Sequence, residues 1–415
     1  MKKTLSMLLV MGLAVSMLAG CGSENAGTSE ENGSSAAEST ESGAEATAAS
    51  DIKVGVIYIG DENEGYTAAH MAGVDEMQKA LGLSDAQVIE KTLIPEDESC
   101  YDAALDLVDQ GCTIIFGTSF GHESYLLQVA AEYPDIQFCH ATGYQAASSG
   151  LANMHNYFDS IYEARYVSGV VAGMKLNEMI ADGTITEDSA KIGYVGAYPY
   201  AEVVSGYTSF FLGARSVCPS ATMEVQYTNS WADMAGEAEV AAQLIADGCV
   251  LISQHADTTG APTTCQEQGV PCVGYNVDMT SVAPDCALTS AANNWGAYYT
   301  YAVSCAINGE SIATDWCNGF ADNAVYVTDL NSAVVAEGSD AKVEETIAAI
   351  KDGSLHVFDT STFTVEGSSI EDLIAEGGDY AKYADYVSDG YFHESELISA
   401  PAFDLRIDGI TEKTN

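Results

Sequence analysis

Rings and carboxylates recur wherever a short apolar run of this sequence stops. The run Lys53–Ile59 stops at Gly60-Asp61-Glu62-Asn63-Glu64-Gly65-Tyr66, and Cys112–Phe116 stops at Gly117-Thr118-Ser119-Phe120-Gly121. Further along, His140-Ala141-Thr142, Tyr198-Pro199-Tyr200, Asn229-Ser230-Trp231-Ala232-Asp233, His255-Ala256-Asp257 and Tyr275-Asn276-Val277-Asp278 follow the same rule. Such groups hold a small molecule. A ring stacked on a planar ligand contributes about 1–3 kcal/mol per base, and carboxylates accept hydrogen bonds from ribose hydroxyls or base amines. The candidate ligand-binding residues are Asp61, Tyr66, Phe120, His140, Trp231, Asp233, His255, Asp257, Asn276, Asp278 and Trp295. Each also has a structural reading. Tryptophan is commonly core, an aspartate such as Asp233 opens helices as an N-cap, and a histidine at a strand end satisfies a backbone carbonyl.

One motif admits covalent chemistry. Gly117-Thr118-Ser119-Phe120-Gly121 fits G-x-S-x-G between a strand and a helix, the setting of a hydrolase nucleophile. Asp278 and then His356 or His393 follow in the order a triad needs. No His-Gly oxyanion sequence precedes the motif, and His393 stands in a polar, Tyr-rich tail. A serine hydrolase using Ser119 is therefore the lesser reading. The chain has no Cys-x-x-Cys pair and no His/Cys spacing suited to zinc, so neither metal nor cofactor is expected.

These residues need elements to position them. From Asp51 onward, β-branched runs alternate with stretches of helical periodicity. The first cycle reads strand Lys53–Ile59, helix Glu64–Leu81, a strand near Val88–Leu93, helix Tyr101–Gln110, strand Cys112–Phe116, helix Glu123–Glu132 and strand Ile136–His140. The second reads helix Ser160–Ala181, strand Lys191–Val195, helix Val203–Ala214, strand Met223–Tyr227, helix Ala235–Ala246 and strand Cys249–Gln254. A short helix near Ala261–Gln268, strand Cys272–Tyr275 and strand Ala287–Ser290 follow. This is α/β order, with parallel sheets covered on both faces. Leu107–Ile115 and Leu244–Ile252 share one pattern of helix end, glycine and buried strand, which predicts two similar lobes. Facing doubly wound lobes form a cleft at the carboxyl ends of their strands.

Composition narrows the partners. The 415 residues suffice for two domains, and 61 acidic against 14 basic residues give a net charge of −47. That field repels phosphate backbones and anionic headgroups, which excludes nucleic-acid binding and electrostatic membrane docking. Residues 1–20 read as a lipoprotein signal peptide, with Lys2 and Lys3 before the apolar run Leu8–Leu18. Leu18-Ala19-Gly20-Cys21 resembles a bacterial lipobox, so Cys21 is the expected lipidation site. Residues 21–50 are rich in Ser, Ala, Gly, Thr and Glu and read as a disordered acidic tether. The six glutamates of that tether and the two leader lysines leave −43 on the rest. Cys112, Cys139, Cys249 and Cys305 lie within apolar runs and read as buried thiols, with one or two disulfides expected elsewhere in an exported chain.

Several blocks together resemble the basic membrane protein family. They are the loop into Gly65-Tyr66, Ala131-Glu132-Tyr133-Pro134-Asp135, the stretch Glu163–Gly173, Ser230-Trp231-Ala232-Asp233 and Leu288-Thr289-Ser290. The family comprises lipid-anchored substrate-binding proteins of ABC importers, similar to bacterial purine nucleoside receptors, and the resemblance spans about Lys53 to Thr360. It implies a type I periplasmic-binding-protein fold with three hinge crossovers, lobe one being 51–157 plus 290–315 and lobe two 158–289 plus 316–415. It further implies a monomer at the outer face of the cell membrane, held only by its lipid and served by permease and ATPase subunits. The implied ligand is a purine nucleoside or nucleobase, bound without catalysis. Asp61 and Tyr66 match the family's first loop, Phe120 the third strand's loop, and Trp231 and Asp278 the second wall. One departure matters. Where such receptors carry a lysine after the Thr-Ser pair, this chain has Ala291-Ala292-Asn293-Asn294-Trp295. That leaves nucleoside against free base open, with a sugar or signalling-furanose receptor as the alternative.

Overall fold

Short apolar runs become strands because helices cover both of their faces, and the central strands are buried end to end. The computed structural model describes residues 51–413; the expected signal peptide, Cys21 and the tether lie outside the described residues. The first five strands are β1 (Val54–Ile57), β2 (Val88–Lys91), β3 (Ile114–Gly117), β4 (Gln137–Ala141) and β5 (Met154–Tyr157). They alternate with α1 (Gly65–Leu81), α2 (Glu98–Asp109), α3 (Glu123–Glu132) and the single turn α4 (Ala146–Ser149). α5 (Ile161–Ala181) then leads into β6 (Lys191–Gly196), β7 (Thr222–Tyr227), β8 (Leu251–Gln254), β9 (Cys272–Tyr275) and β10 (Ala287–Asn293). These are joined by α6 (Ala201–Val217), α7 (Met234–Ala246) and α8 (Gly260–Gln268). α9 (Gly296–Asn308), β11 (Asp315–Trp316), β12 (Val325–Val327), α10 (Ser339–Lys351) and α11 (Ile370–Glu376) come next. A hairpin of β13 (Val387–Ser388) and β14 (Tyr391–Phe392) precedes β15 (Ile410–Glu412).

Two sheets result, ordered β11-β5-β4-β3-β1-β2 and β12-β10-β9-β8-β6-β7-β15. Their ladders are parallel except for β10 with β12. Each sheet takes strands from separate stretches of chain, so the chain passes between lobes three times. This is the type I periplasmic-binding-protein architecture. The first and third passages run side by side. Asn156, Phe158 and Ser160 donate their N–H groups to the carbonyls of Thr314, Trp316 and Asn318 at 2.8–3.0 Å.

The glycines of the Glu163–Gly173 block have a packing role. A Cβ on Gly169 would overlap the Phe210 carbonyl oxygen, and one on Gly213 would overlap that of Tyr166. α5 and α6 thus touch backbone to backbone, as small residues permit.

The structure departs from expectation in three places. β10 keeps Ser290–Asn293 in the second sheet, beyond the lobe boundary expected at 290. β5 carries no apolar signature because its polar residues are paired inside the fold. His155 contacts Gln137 Oε1 (2.9 Å) and the Ala313 carbonyl (3.1 Å), and Asn156 donates to Glu123 (2.9 Å). The expected disulfides are not formed among the described residues. All ten cysteines there are free thiols, nine of them buried.

Candidate functional site

The ends of β1, β3, β6, β8 and β9 converge on a cavity of about 270 Å³. That is near the small end of the roughly 300–1,000 Å³ typical of small-molecule sites. Lobe one lines it with Gly60, Glu64, Tyr66, Thr118, Ser119, Phe120 and Thr142; lobe two with Tyr198, Glu202, Ser230, Trp231, Ala232, His255, Asp257 and Tyr275.

Lobe one builds its wall from a helix cap and a loop. Glu64 caps α1, accepting the N–H groups of Tyr66 (2.6 Å) and Thr67 (2.9 Å). This satisfies two donors that a helix start leaves open. Burial pushes the Glu64 carboxyl upward in pKa against those hydrogen bonds. The Tyr66 hydroxyl donates to the Thr118 carbonyl at 2.6 Å. Ser119 donates its hydroxyl to Glu96 (2.6 Å), which also accepts the Gly121 N–H (2.8 Å). Phe120 remains 43% exposed. Its ring lies 5.9 Å from that of Tyr200 in the opposite lobe.

Lobe two supplies charge. Trp231 meets Tyr198 edge-on at 5.1 Å, and its carbonyl accepts the Asp257 N–H at 2.9 Å. Glu202, in the first turn of α6, lies 3.3 Å from His255 Nε2. Asn276 donates to Asp257 Oδ1 at 2.7 Å. Behind them, the buried Arg165 of α5 sets its guanidinium 3.8 Å from the centre of the Tyr275 ring, a favourable cation–π geometry. It also donates to the Tyr194 hydroxyl (2.7 Å) and the Gln254 carbonyl (2.9 Å).

Electrostatics follow from this layering. Burial raises Glu202 to about 7, with Arg165 opposing. Burial, then the charges of Glu64, Glu237 and Glu202, push Asp257 well above the carboxylate range against Arg165. Burial and Arg165 together hold His255 well below its usual value, so it is neutral. Among the described residues, no lysine or arginine lines the cavity.

The lobes meet across this cavity. The Gly65 N–H of lobe one donates to the Asp257 carbonyl of lobe two at 3.0 Å, and a Cβ on Gly65 would stand 2.9 Å from that oxygen.

Tyr66, Phe120, Trp231, His255 and Asp257 thus share the cavity, whereas the other expected residues do not line it. Asp233 and Asp278 are caps, accepting the N–H groups of Gly236 (3.0 Å) and Thr280 (2.8 Å). Asp61 turns onto Asn63 within its own loop. His140 bonds the Ser119 carbonyl (2.7 Å) from behind the wall, and Asn276 lies behind Asp257. Trp295 is fully buried and stacks on His70 at 4.1 Å. The hydrolase triad is not assembled either. His356 stacks on Tyr391, while His393 bonds Ser388 and Glu396, far along the chain from Ser119 and its Glu96 partner. Glu64 and Glu202 were missed because an acid in the first turn of a helix reads as a cap. Arg165 was missed because it opens the buried stretch of α5; a lone arginine beside that apolar run was the available signal.

The family described as ABC transporter substrate-binding protein PnrA-like (Bmp) matches residues 52–355. A purine-binding protein of Brucella abortus is 34% identical over 315 residues, covering 75% of this chain and 84% of the relative. A putative ABC transporter glucose-binding protein of Haloferax volcanii is 35% identical over 263 residues, 63% of each chain. Among solved structures, an ABC transporter solute-binding protein of Aeropyrum pernix aligns with a TM-score of 0.62 at 15% identity, over 78% of this chain and 96% of that one. That last likeness concerns the fold.

Proposed function

The chain belongs to the Bmp family of ABC transporter substrate-binding proteins, and from that premise we propose that its cleft captures a purine nucleoside or free purine base. The observation that carries this reading is the union of ring faces and buried carboxyl groups in one cavity whose lining, among the described residues, holds no lysine or arginine. Trp231 stacks on the base, Phe120 meets the ligand from the other lobe, Glu202 accepts a hydrogen bond from an N–H or O–H group, and Asp257, protonated by burial, offers a carboxyl O–H. Among the described residues the lining has no lysine or arginine to pair with a phosphate, which disfavours phosphorylated ligands. The purine-binding relative supports the same class.

Closure is a hinge motion about the three passages, favoured by a ligand that touches both lobes. The closed lobes then pass the ligand to a membrane permease energised by an ATPase. Proteins of this family act outside the cytoplasm, and lipidation at Cys21 anchors this one. Glucose is the alternative ligand, favoured by the Haloferax relative. Calorimetric titration with adenosine, guanosine, inosine, adenine, ribose and glucose distinguishes them. Purine binding is the expected outcome; a response to sugars with none to any purine rejects the proposal.

A further inference from the structure

Tyr200 stands at the start of α6 with its backbone committed and its ring left over. Its carbonyl accepts the N–H groups of Val203 and Val204, both at 3.0 Å, and Pro199 fixes the φ angle just before it. Its side chain makes no capping hydrogen bond, at a position where Ser, Thr, Asp and Asn are favoured because their oxygens satisfy open helix N–H groups. The ring is instead 46% exposed. A residue that breaks a local rule without local gain points to a use elsewhere.

The neighbours define that use. Tyr200 does not line the cavity, but it contacts rings on both walls that do. Its ring lies 5.1 Å from Tyr198, nearly parallel at 11°, and 6.1 Å from Trp231 in its own lobe. Across the cleft it lies 5.9 Å from Phe120, which in turn lies 6.2 Å from Tyr144. Trp231, Tyr198 and Phe120 line the cavity, whereas Tyr144 is 52% exposed. The row of rings therefore runs along the solvent edge of the cavity, and Tyr200 to Phe120 is its step between lobes. Rings with centroids roughly 4.5–7 Å apart attract beyond the area they bury, so this step favours closure only while the lobes are together. Glu202, two residues on, lines the cavity from the same turn. One turn of backbone thus sets both a ligand-facing acid and the ring at the mouth.

We propose that Tyr200 is the gate of this cavity: it bridges the Trp231 wall to Phe120 once the lobes meet, and so governs how fast a bound ligand leaves. The gate rests on the reading of this cavity as the ligand site, not on which ligand it takes. Release requires the Tyr200–Phe120 contact to break, whereas entry into an open cleft does not. The gate therefore acts on dissociation more than on association.

The test is stopped-flow tryptophan fluorescence with adenosine, adenine and glucose, each as ligand. Tyr200→Ala should release ligand at least tenfold faster, with association changed less than threefold. Tyr200→Phe keeps the ring and should release at the rate of the unsubstituted chain. Tyr200→Ser supplies a capping oxygen, so it should melt above Tyr200→Ala yet release ligand as fast. Slow release from the serine variant assigns the effect to helix capping and overturns the gate, as does an acceleration below tenfold in Tyr200→Ala. Binding of glucose with no purine refutes the purine reading alone, and the gate is then read from glucose release. If none of the three binds, acrylamide quenching of the free chain decides. The gate requires Trp231 to be more quenched in Tyr200→Ala, since Trp295 is fully buried and Trp316 packs on Tyr298 and Tyr301; equal quenching overturns it.

Discussion

Glu64, Tyr66 and Ser119 face the cleft from lobe one with their polar atoms already bonded inside that lobe, whereas Trp231, Glu202 and Asp257 face it from lobe two with ring faces or lone pairs still open. The layers behind the walls differ too. Lobe one is backed by packed rings, with His70 on Trp295 and Tyr157 on Tyr298 at 3.8 Å. Lobe two is backed by a buried cation on a tyrosine face. One doubly wound topology thus yields an internally bonded wall and an electrostatically tuned one. The side chains behind the first layer decide which.

The largest expected effect is on the backing of the tuned wall. Arg165→Met removes the donor to the Tyr194 hydroxyl and to the Gln254 carbonyl, and each buried group left unsatisfied costs about 1–3 kcal/mol. Urea denaturation should show that loss together with weaker ligand binding. Trp295→Phe removes an indole N–H that has no partner and should cost less, with affinity unchanged; equal effects on affinity would erase the contrast between the lobes.

Within the first layer, Trp231→Ala should weaken purine binding by about 1–3 kcal/mol, the range for one base stacked on one ring. Phe120→Ala should cost less, because that ring is already partly in water. Isothermal titration ranks the two, and the reverse order would place the dominant ring in lobe one. Gly65→Ala obstructs only the approach of the lobes, through the Asp257 carbonyl. About tenfold weaker binding, or about 1.4 kcal/mol, is expected, with an unchanged denaturation midpoint for the free protein.

The smallest effect is on pH dependence. Burial holds Glu202 at about 7. A ligand that donates to this carboxylate favours its ionised form, so binding releases a proton and affinity rises with pH through about 7. Glu202→Gln should flatten that part of the profile. A rise that persists in the variant assigns it to another group.

The alternation of strands and helices was legible because burial on both faces forces β-branched runs. The cleft was legible as loops at strand ends, which carry Tyr66, Phe120, Trp231 and Asp257. Asp233 and Asp278 misled because the chemistry that suits a ligand hydroxyl also suits a helix N–H. Trp295 misled because a ring at a helix start does not announce which way it points. Glu202 and Arg165 act through neighbours brought close only by the packing of α5 and α6 against the second sheet. No local pattern encodes that.

Lobe one is finished late. Its sheet has β1 to β5 by Tyr157, yet β11, which pairs with β5, and Trp295 with Tyr298 and Tyr299 of α9, which fill its core, lie beyond the consecutive strands β6 to β10 of the second sheet. A chain growing from its N-terminus therefore carries an unfinished first lobe, with the β5 edge open, until Trp316 has been made. The central strands of lobe two are made in the interval. Contacts so distant in sequence are slow to close and leave edges open to aggregation. The middle of the second sheet thus exists before the first sheet can close, and the second sheet in turn waits for β12 and β15 at its edges.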